Sequence, residues 1–183
     1  AARDPSSLPL TDDVTFVENN QILRVGDGTW RTVTGLGTYR HYFADPEAGQ
    51  VAVIASVEER GSKAIYDLRL AIENHRIAEI EALVVRDPNG ARLYEELGAP
   101  LPIFVESVPP DRRLSRSELV RVSDLYFSGM ERNRPDGDYS FFADNCDRLE
   151  HARRTTNMPA QTYGHSDDTV FVTLADGIQP FDG

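Results

Sequence analysis

Residues 51–85 read VAVIASVEERGSKAIYDLRLAIENHRIAEIEALVV. Three apolar-rich runs, 51–59, 64–73 and 77–85, are parted by Gly61-Ser62 and by Asn74-His75. In the second run Tyr66, Leu68, Leu70 and Ile72 alternate with more polar positions, and in the third Ala78, Ile80, Ala82 and Val84 share a face. A period of two is the signature of a half-buried strand. Short Gly- and Asn-containing breaks join consecutive strands into hairpins. The stretch therefore predicts an antiparallel three-strand meander with one covered face.

Upstream, residues 14–18 and 21–25 read as two short strands joined by Asn19-Asn20 and ended by Gly26-Asp27-Gly28. Residues 35–44, GLGTYRHYFA, predict a short helix, because Leu36, Tyr39 and Phe43 fall at helical spacing and Asp45-Pro46 would stop it. Downstream, Pro100, Pro102, Pro109 and Pro110 mark an extended linker over 98–112. A helix over 115–131 follows, opened by the capping box Ser115-Arg116-Ser117-Glu118 and striped by Leu119, Val122, Tyr126 and Met130. Residues 158–168 read as a loop and 169–174 as one strand. The phrase LPLTDDVTFVEN at 8–19 is echoed by SFFADNCDRLEH at 140–151, and each places a glutamate, Glu18 or Glu150, six residues after its first aspartate. Such an echo suggests two copies of one supersecondary unit. The domain organisation expected is a sheet unit over 1–97, the linker 98–112, and an incomplete second unit over 113–183 packed on the first.

The composition narrows the function classes. A net charge of −11 argues against nucleic acid or an anionic membrane as partner, since both need a basic surface. Cys146 is the only cysteine, so no internal disulfide and no cysteine cluster for zinc can form. No apolar run approaches the ~18 residues of a membrane helix. Neither a signal peptide nor an initiator Met is seen; the compartment stays open, with cytoplasm slightly favoured. Asp12 and Asp13 lack a third ligand at a recognisable spacing, so no metal is expected.

Residues 10–85 resemble the nuclear transport factor 2-like superfamily, in its ketosteroid isomerase and polyketide cyclase branch. The resemblance is carried by LTDDVTFVEN at 10–19 and TGLGTYRHYF at 34–43, followed by the meander. GDGTWRTVTGLGTYRHYFADPEAGQV and the later DRLEHARRTTN are also similar to an uncharacterised group of double-unit proteins in that superfamily. The resemblance implies an α+β fold: a curved antiparallel sheet wrapped on helices (a cystatin-like cone), here with a degenerate second half-unit. It further implies a pocket inside the cone, no cofactor, and a homodimer in which a partner subunit supplies cover. The long helices that usually close the cone are not found before Leu8; they are lost or trimmed, or the 115–131 helix replaces them.

Strand alternation places Val14, Phe16 and Glu18 on one face. If that face is interior, Glu18 points into the pocket behind Phe16. By resemblance it aligns with the general base of ketosteroid isomerases, and desolvation would raise its pKa toward neutrality. The plainer reading is a rim carboxylate that pairs with an arginine or caps the hairpin. Tyr39 and His41, on the expected helix, are the other catalytic candidates: a phenol as oxyanion donor and an imidazole as proton shuttle. Their plainer readings are packing and an exposed helix histidine. Phe16, Trp30, Tyr42 and Tyr66 are candidate lining for an apolar substrate, with Trp30 equally readable as core. Arg148 and Glu150 are either a structural ion pair or a pair that grips a polar ligand. The function expected is cofactor-free general acid–base chemistry (isomerase, cyclase or dehydratase type) on a small apolar molecule; the alternative is a non-catalytic ligand-binding or assembly module of the same fold.

Overall fold

The structure, a computed structural model, describes residues 4–131, 139, 141–143 and 145–157, without the Met130 side chain. Two compact units are present, Ala1–Val105 and Glu106–Gly183.

The first unit is built on a six-stranded sheet. β1 (Leu10–Glu18) and β2 (Gln21–Leu23) form a hairpin, a single turn of helix α1 (Thr29–Thr32) follows, and β3 (Val33–Asp45), β4 (Gln50–Glu59), β5 (Ser62–Glu73) and β6 (Arg76–Val85) form a meander. The strand order is β2-β1-β6-β5-β4-β3. All neighbours are antiparallel except β1 and β6, which run parallel. Breaks in register at Leu10/Thr15, Val33/Gly35, Leu36/Arg40 and Ala71/Ile72 bend the strands and curve the sheet. The meander lies where the alternation places it. Asn19 and Asn20 (φ 46° and 64°), like Asn74 and His75 (φ 48° and 63°), have the left-handed backbone of tight two-residue hairpin turns.

Residues 35–44 are not a helix. They form most of β3, and burial alternates there: Gly37, Tyr39 and His41 are buried while Thr38, Arg40 and Tyr42 are exposed. The helical spacing of Leu36, Tyr39 and Phe43 is a coincidence, since Leu36 is 67% exposed and Tyr39 is core. Two glycines and a run of Thr and aromatic residues disfavour a helix and suit a pleated strand, and pairing with β4 on both sides of the break at Leu36/Arg40 decides the matter.

Helix α2 (Pro88–Leu97) was not visible in the apolar pattern, yet its ends carry ordinary signals. Asp87 caps it by accepting from Asn89 N, Pro88 begins it, and Gly98 (φ 70°) ends it. α2 packs on the face of β3–β5 that bears Tyr39, whose ring lies 4.6 Å from that of Tyr94. Glu95 pins the helix, accepting from Thr38 N at 2.8 Å and from the Ser56 hydroxyl, with Lys63 Nζ at 3.2 Å. Gly37 lies directly beneath, and any Cβ there would run into Glu95 and Ser56.

The expected extended linker is not extended throughout: α3 (Pro102–Val105) and a 3₁₀ turn (Pro110–Arg112) occupy part of it, each opened by a proline that has no N–H to lose. In the second unit α4 (Arg116–Glu131) follows the predicted capping box, with Glu118 N donating to Ser115 Oγ. The second copy of the repeated phrase does not form a second β1. Among the described residues only β7 (Leu149–Glu150) and β8 (Arg153–Arg154) pair there. Both phrases nonetheless deliver their glutamate to the last position before a tight turn: Glu18 pairs with Gln21 across Asn19-Asn20, and Glu150 with Arg153 across His151-Ala152 (φ 46° and 61°). Asp144, the loop 158–168 and the strand expected at 169–174 lie outside the described residues.

The contact beneath α2 predicts that Gly37→Ala lowers the stability of the first unit by about 1–3 kcal/mol, as overpacking does. Urea unfolding followed by the fluorescence of Trp30, the only tryptophan, reads this directly; an unchanged midpoint would refute the close approach.

Candidate functional site

The site begins with the alternation of β1. Phe16 is 1% exposed and stacks edge-on against Trp30, ring centroids 6.0 Å apart. Two residues on, Glu18 reaches the strand end on the same face and is 8% exposed. The turn beyond it is anchored by Asn19, which accepts from Val84 N at 2.7 Å and donates to Val84 O at 3.1 Å. Register places Phe16 opposite Ile80 and Glu18 opposite Ala82. Through Ile80–Leu70 and Ala82–Leu68, this face continues onto β5 as Leu70, Leu68, Tyr66 and Ala64.

Glu18 is held in one orientation. Its Oε2 accepts from Thr29 N at 2.8 Å and Thr29 Oγ1 at 2.5 Å. This requires the chain at Gly28 to pass close by: Gly28 has φ 62°, and a Cβ there would sit 2.5 Å from Oε2. Glu18 Oε1 accepts no hydrogen bond among the described residues; the nearest cation is Arg86 Nη2 at 3.9 Å. Arg86 is itself engaged with Glu59, Nε to Oε2 at 2.7 Å and Nη2 to Oε1 at 2.9 Å, and Thr32 Oγ1 donates to Glu59 at 2.5 Å. The Arg86 guanidinium is the main reason the Glu59 carboxyl lies below its usual range, with Thr32 adding to it against the opposing effect of burial. Burial pushes the Tyr66 phenol up, so it stays protonated; the Thr29 hydroxyl beside it acts in the opposite sense, while the Glu18 charge adds to the rise.

Two concavities meet here. An apolar groove of about 330 Å³ is lined by Trp30, Val33, Val57, Tyr66, Leu68 and Ile80 among others, with Thr29 at its edge. A polar cleft of about 710 Å³ is lined by Arg31, Arg60, Lys63 and Arg86 together with Glu18, Asp27 and Glu59. Glu18 lines the cleft rather than the groove, so it is not an isolated carboxylate in an apolar cavity; Thr29, its hydrogen-bond donor, lines the groove.

The structure therefore brings together four residues singled out from sequence: Glu18, Phe16, Trp30 and Tyr66. Tyr42 shares their face by register but is 66% exposed and lines neither concavity. Tyr39 and His41 are strand residues on the opposite face, Tyr39 under α2 and His41 between Phe43 and Phe104, ring centroids 4.1 and 5.8 Å away. They do not join Glu18, and His41 is buried rather than exposed. In the second unit Arg148 and Glu150 form an ion pair with each other. Sequence reading missed Thr29, Glu59 and Arg86. Gly-Asp-Gly immediately before Thr29 was the available signal of a close backbone approach; Glu59 ends β4 and Arg86 follows β6, and only pairing unites them. Among the described residues, no group of three or more His, Cys, Asp or Glu side chains could hold a metal ion, and no helix is long and apolar enough to cross a membrane.

Comparison with known proteins adds little to the chemistry. Residues 112–179 match a protein family described only as a domain of unknown function, DUF8021. No curated protein matches the chain. Among solved structures, the chain is similar to a de novo designed protein with a curved β-sheet (20% identity, 49% of this chain and 75% of that one, TM-score 0.35). A de novo designed NTF2-fold protein, NT-9, is 22% identical over 53% of this chain and 75% of its own, with a TM-score of 0.31. AclR of Streptomyces galilaeus, a candidate hydroxylase, is 12% identical over 66% of this chain and 82% of its own, TM-score 0.33. The fold class, a mixed α+β unit with a large curved sheet, stands on the topology itself.

Two expectations follow from the geometry. Thr29→Val removes one charge-assisted bond to a buried carboxylate and should cost about 1–3 kcal/mol, whereas Thr29→Ser should cost far less; equal losses in chemical denaturation would discount the hydroxyl. Because the folded-state Glu59 carboxyl is held below its usual range, its contribution to stability is present above that range and is lost as pH falls through the folded value. Stability of the wild type should drop more steeply below about pH 4.5 than that of Glu59→Gln, and parallel curves would show that the pair carries no such linkage.

Proposed function

We propose that the first unit binds a small, largely apolar molecule on this face and that Glu18 acts on it as a general base, without a cofactor. The reaction class is that of the ketosteroid isomerase and polyketide cyclase branch: isomerisation, cyclisation or dehydration beside a carbonyl. The observation that carries this reading is the asymmetry of the Glu18 carboxylate, with Oε2 tied to Thr29 and Oε1 open to the cleft. A base fixed through one oxygen keeps the other's lone pairs aimed at one point, the geometry proton abstraction needs. Tyr66, kept protonated by burial and lining the groove, takes the role of oxyanion donor that the sequence reading gave to Tyr39. The Arg86 guanidinium 3.9 Å away offsets negative charge as it develops on the substrate.

The second reading, a ligand-binding module without chemistry, is favoured by a different observation. Arg86 stands beside the carboxylate and both concavities are open to the side, so water is not excluded as a base in an enclosed cavity would have it.

5-Nitrobenzisoxazole, a flat apolar compound that opens when a base removes one C–H proton, separates the two. Glu18→Gln should lower the protein-dependent rate at least about a hundredfold, while quenching of Trp30 by the bound compound is retained. Equal rates for wild type and Glu18→Gln, with binding intact, would leave the module reading.

A further inference from the structure

We propose that the molecule bound on this face is an amphipathic anion, a carboxylic acid with an apolar body, an assignment that rests on the small-molecule reading above. The groove and the cleft are successive stretches of one sheet face. Along β5 that face runs Leu70, Leu68, Tyr66 and then Ala64, and the opposite β4 positions run Val51, Val53, Ala55 and Val57 and end in Glu59. Tyr66 and Val57 line the groove, and Ala64 and Glu59 line the cleft. A ligand lying along the strands therefore meets apolar side chains at one end and guanidinium groups at the other.

The charges at that end are not all spent on one another. Asp27 pairs with Arg31 at 2.5 Å, Glu59 takes two donors of Arg86, and Lys63 is shared by Glu58 and Glu95, neither of which lines the cleft. That leaves two sets of donors without a hydrogen bond among the described residues. Arg60, exposed on the turn beside Gly61, makes no side-chain hydrogen bond or salt bridge there, its charge acting on neighbouring Glu59 only at longer range, and Nη1 of Arg86 likewise makes no hydrogen bond among them. In a chain of net charge −11, the cleft gathers four cations beside three carboxylates. Guanidinium donors of this kind select a carboxylate by charge and by fork geometry. Glu18 lies at the junction, where its free Oε1 faces the part of the ligand next to the head group.

Decanoate and decan-1-ol, identical in chain and different in head, test this through the emission of Trp30, which lines the groove. Decanoate should bind about tenfold more tightly than the alcohol, the gain expected of charge-assisted hydrogen bonds. Arg60→Gln should remove most of that preference while leaving the alcohol's binding unchanged, and added salt should weaken decanoate alone. If the alcohol binds as well as decanoate, or if Arg60→Gln weakens both equally, the anionic head is refuted and the small-molecule groove stands. If neither compound perturbs Trp30, the groove reading and the head assignment fall together.

Discussion

β1 joins the meander through a single seam, its parallel pairing with β6, and the candidate site hangs from that seam. The ladder sets Phe16 against Ile80 and Glu18 against Ala82, and Asn19 then locks both hydrogen-bonding groups of Val84. A slip of one residue would turn Val17 inward in place of Phe16 and Glu18, because strand faces alternate with a period of two. The Asn19 clamp opposes such a slip at the point where it would matter most. Burial of Phe16 with Ile80 and Ala82 opposes it further along.

From that register the polar arrangement follows in steps. The hairpin turns the chain back, Gly28 lets it pass close to the Glu18 carboxylate, and Thr29 satisfies one oxygen with two donors. A buried carboxylate without such partners would be costly. Glu59 solves the same problem differently, with Arg86 and Thr32. The two glutamates share one face yet are treated unequally: Glu59 is engaged at both oxygens, whereas Glu18 keeps one oxygen open. That inequality, and not mere burial, is what distinguishes the two carboxylates.

The opposite face has a separate task. Tyr39, Ser56 and Gly37 receive α2, and Glu95 ties the helix to β3, β4 and Lys63. One face is thus closed by a helix from within the unit, and the other carries the groove. This division explains why Tyr39 and His41 cannot serve a site on the groove face. Tyr39 and His41 were expected on a short helix, whereas a strand sends every second residue to the other side.

The sequence by itself determined the meander, the Asn-Asn and Asn-His turns, the capped α4 and the common face of Val14, Phe16 and Glu18, because each rests on local periodicity or on the backbone preference of a few adjacent residues. Tertiary structure decided the rest. Residues 35–44 satisfy helical spacing and strand alternation alike, and pairing along β4 chose between them. The repeated phrase singled out two glutamates, but neither the turn after Glu150 nor the surroundings of either: Glu150 is paired with Arg148 two residues away, while Glu18 depends on Thr29 and on Arg86, which lies 68 residues further along the chain. Such partners come together only when strands pair, since hydrogen-bonding geometry is set by position in space and leaves no periodic trace along the chain.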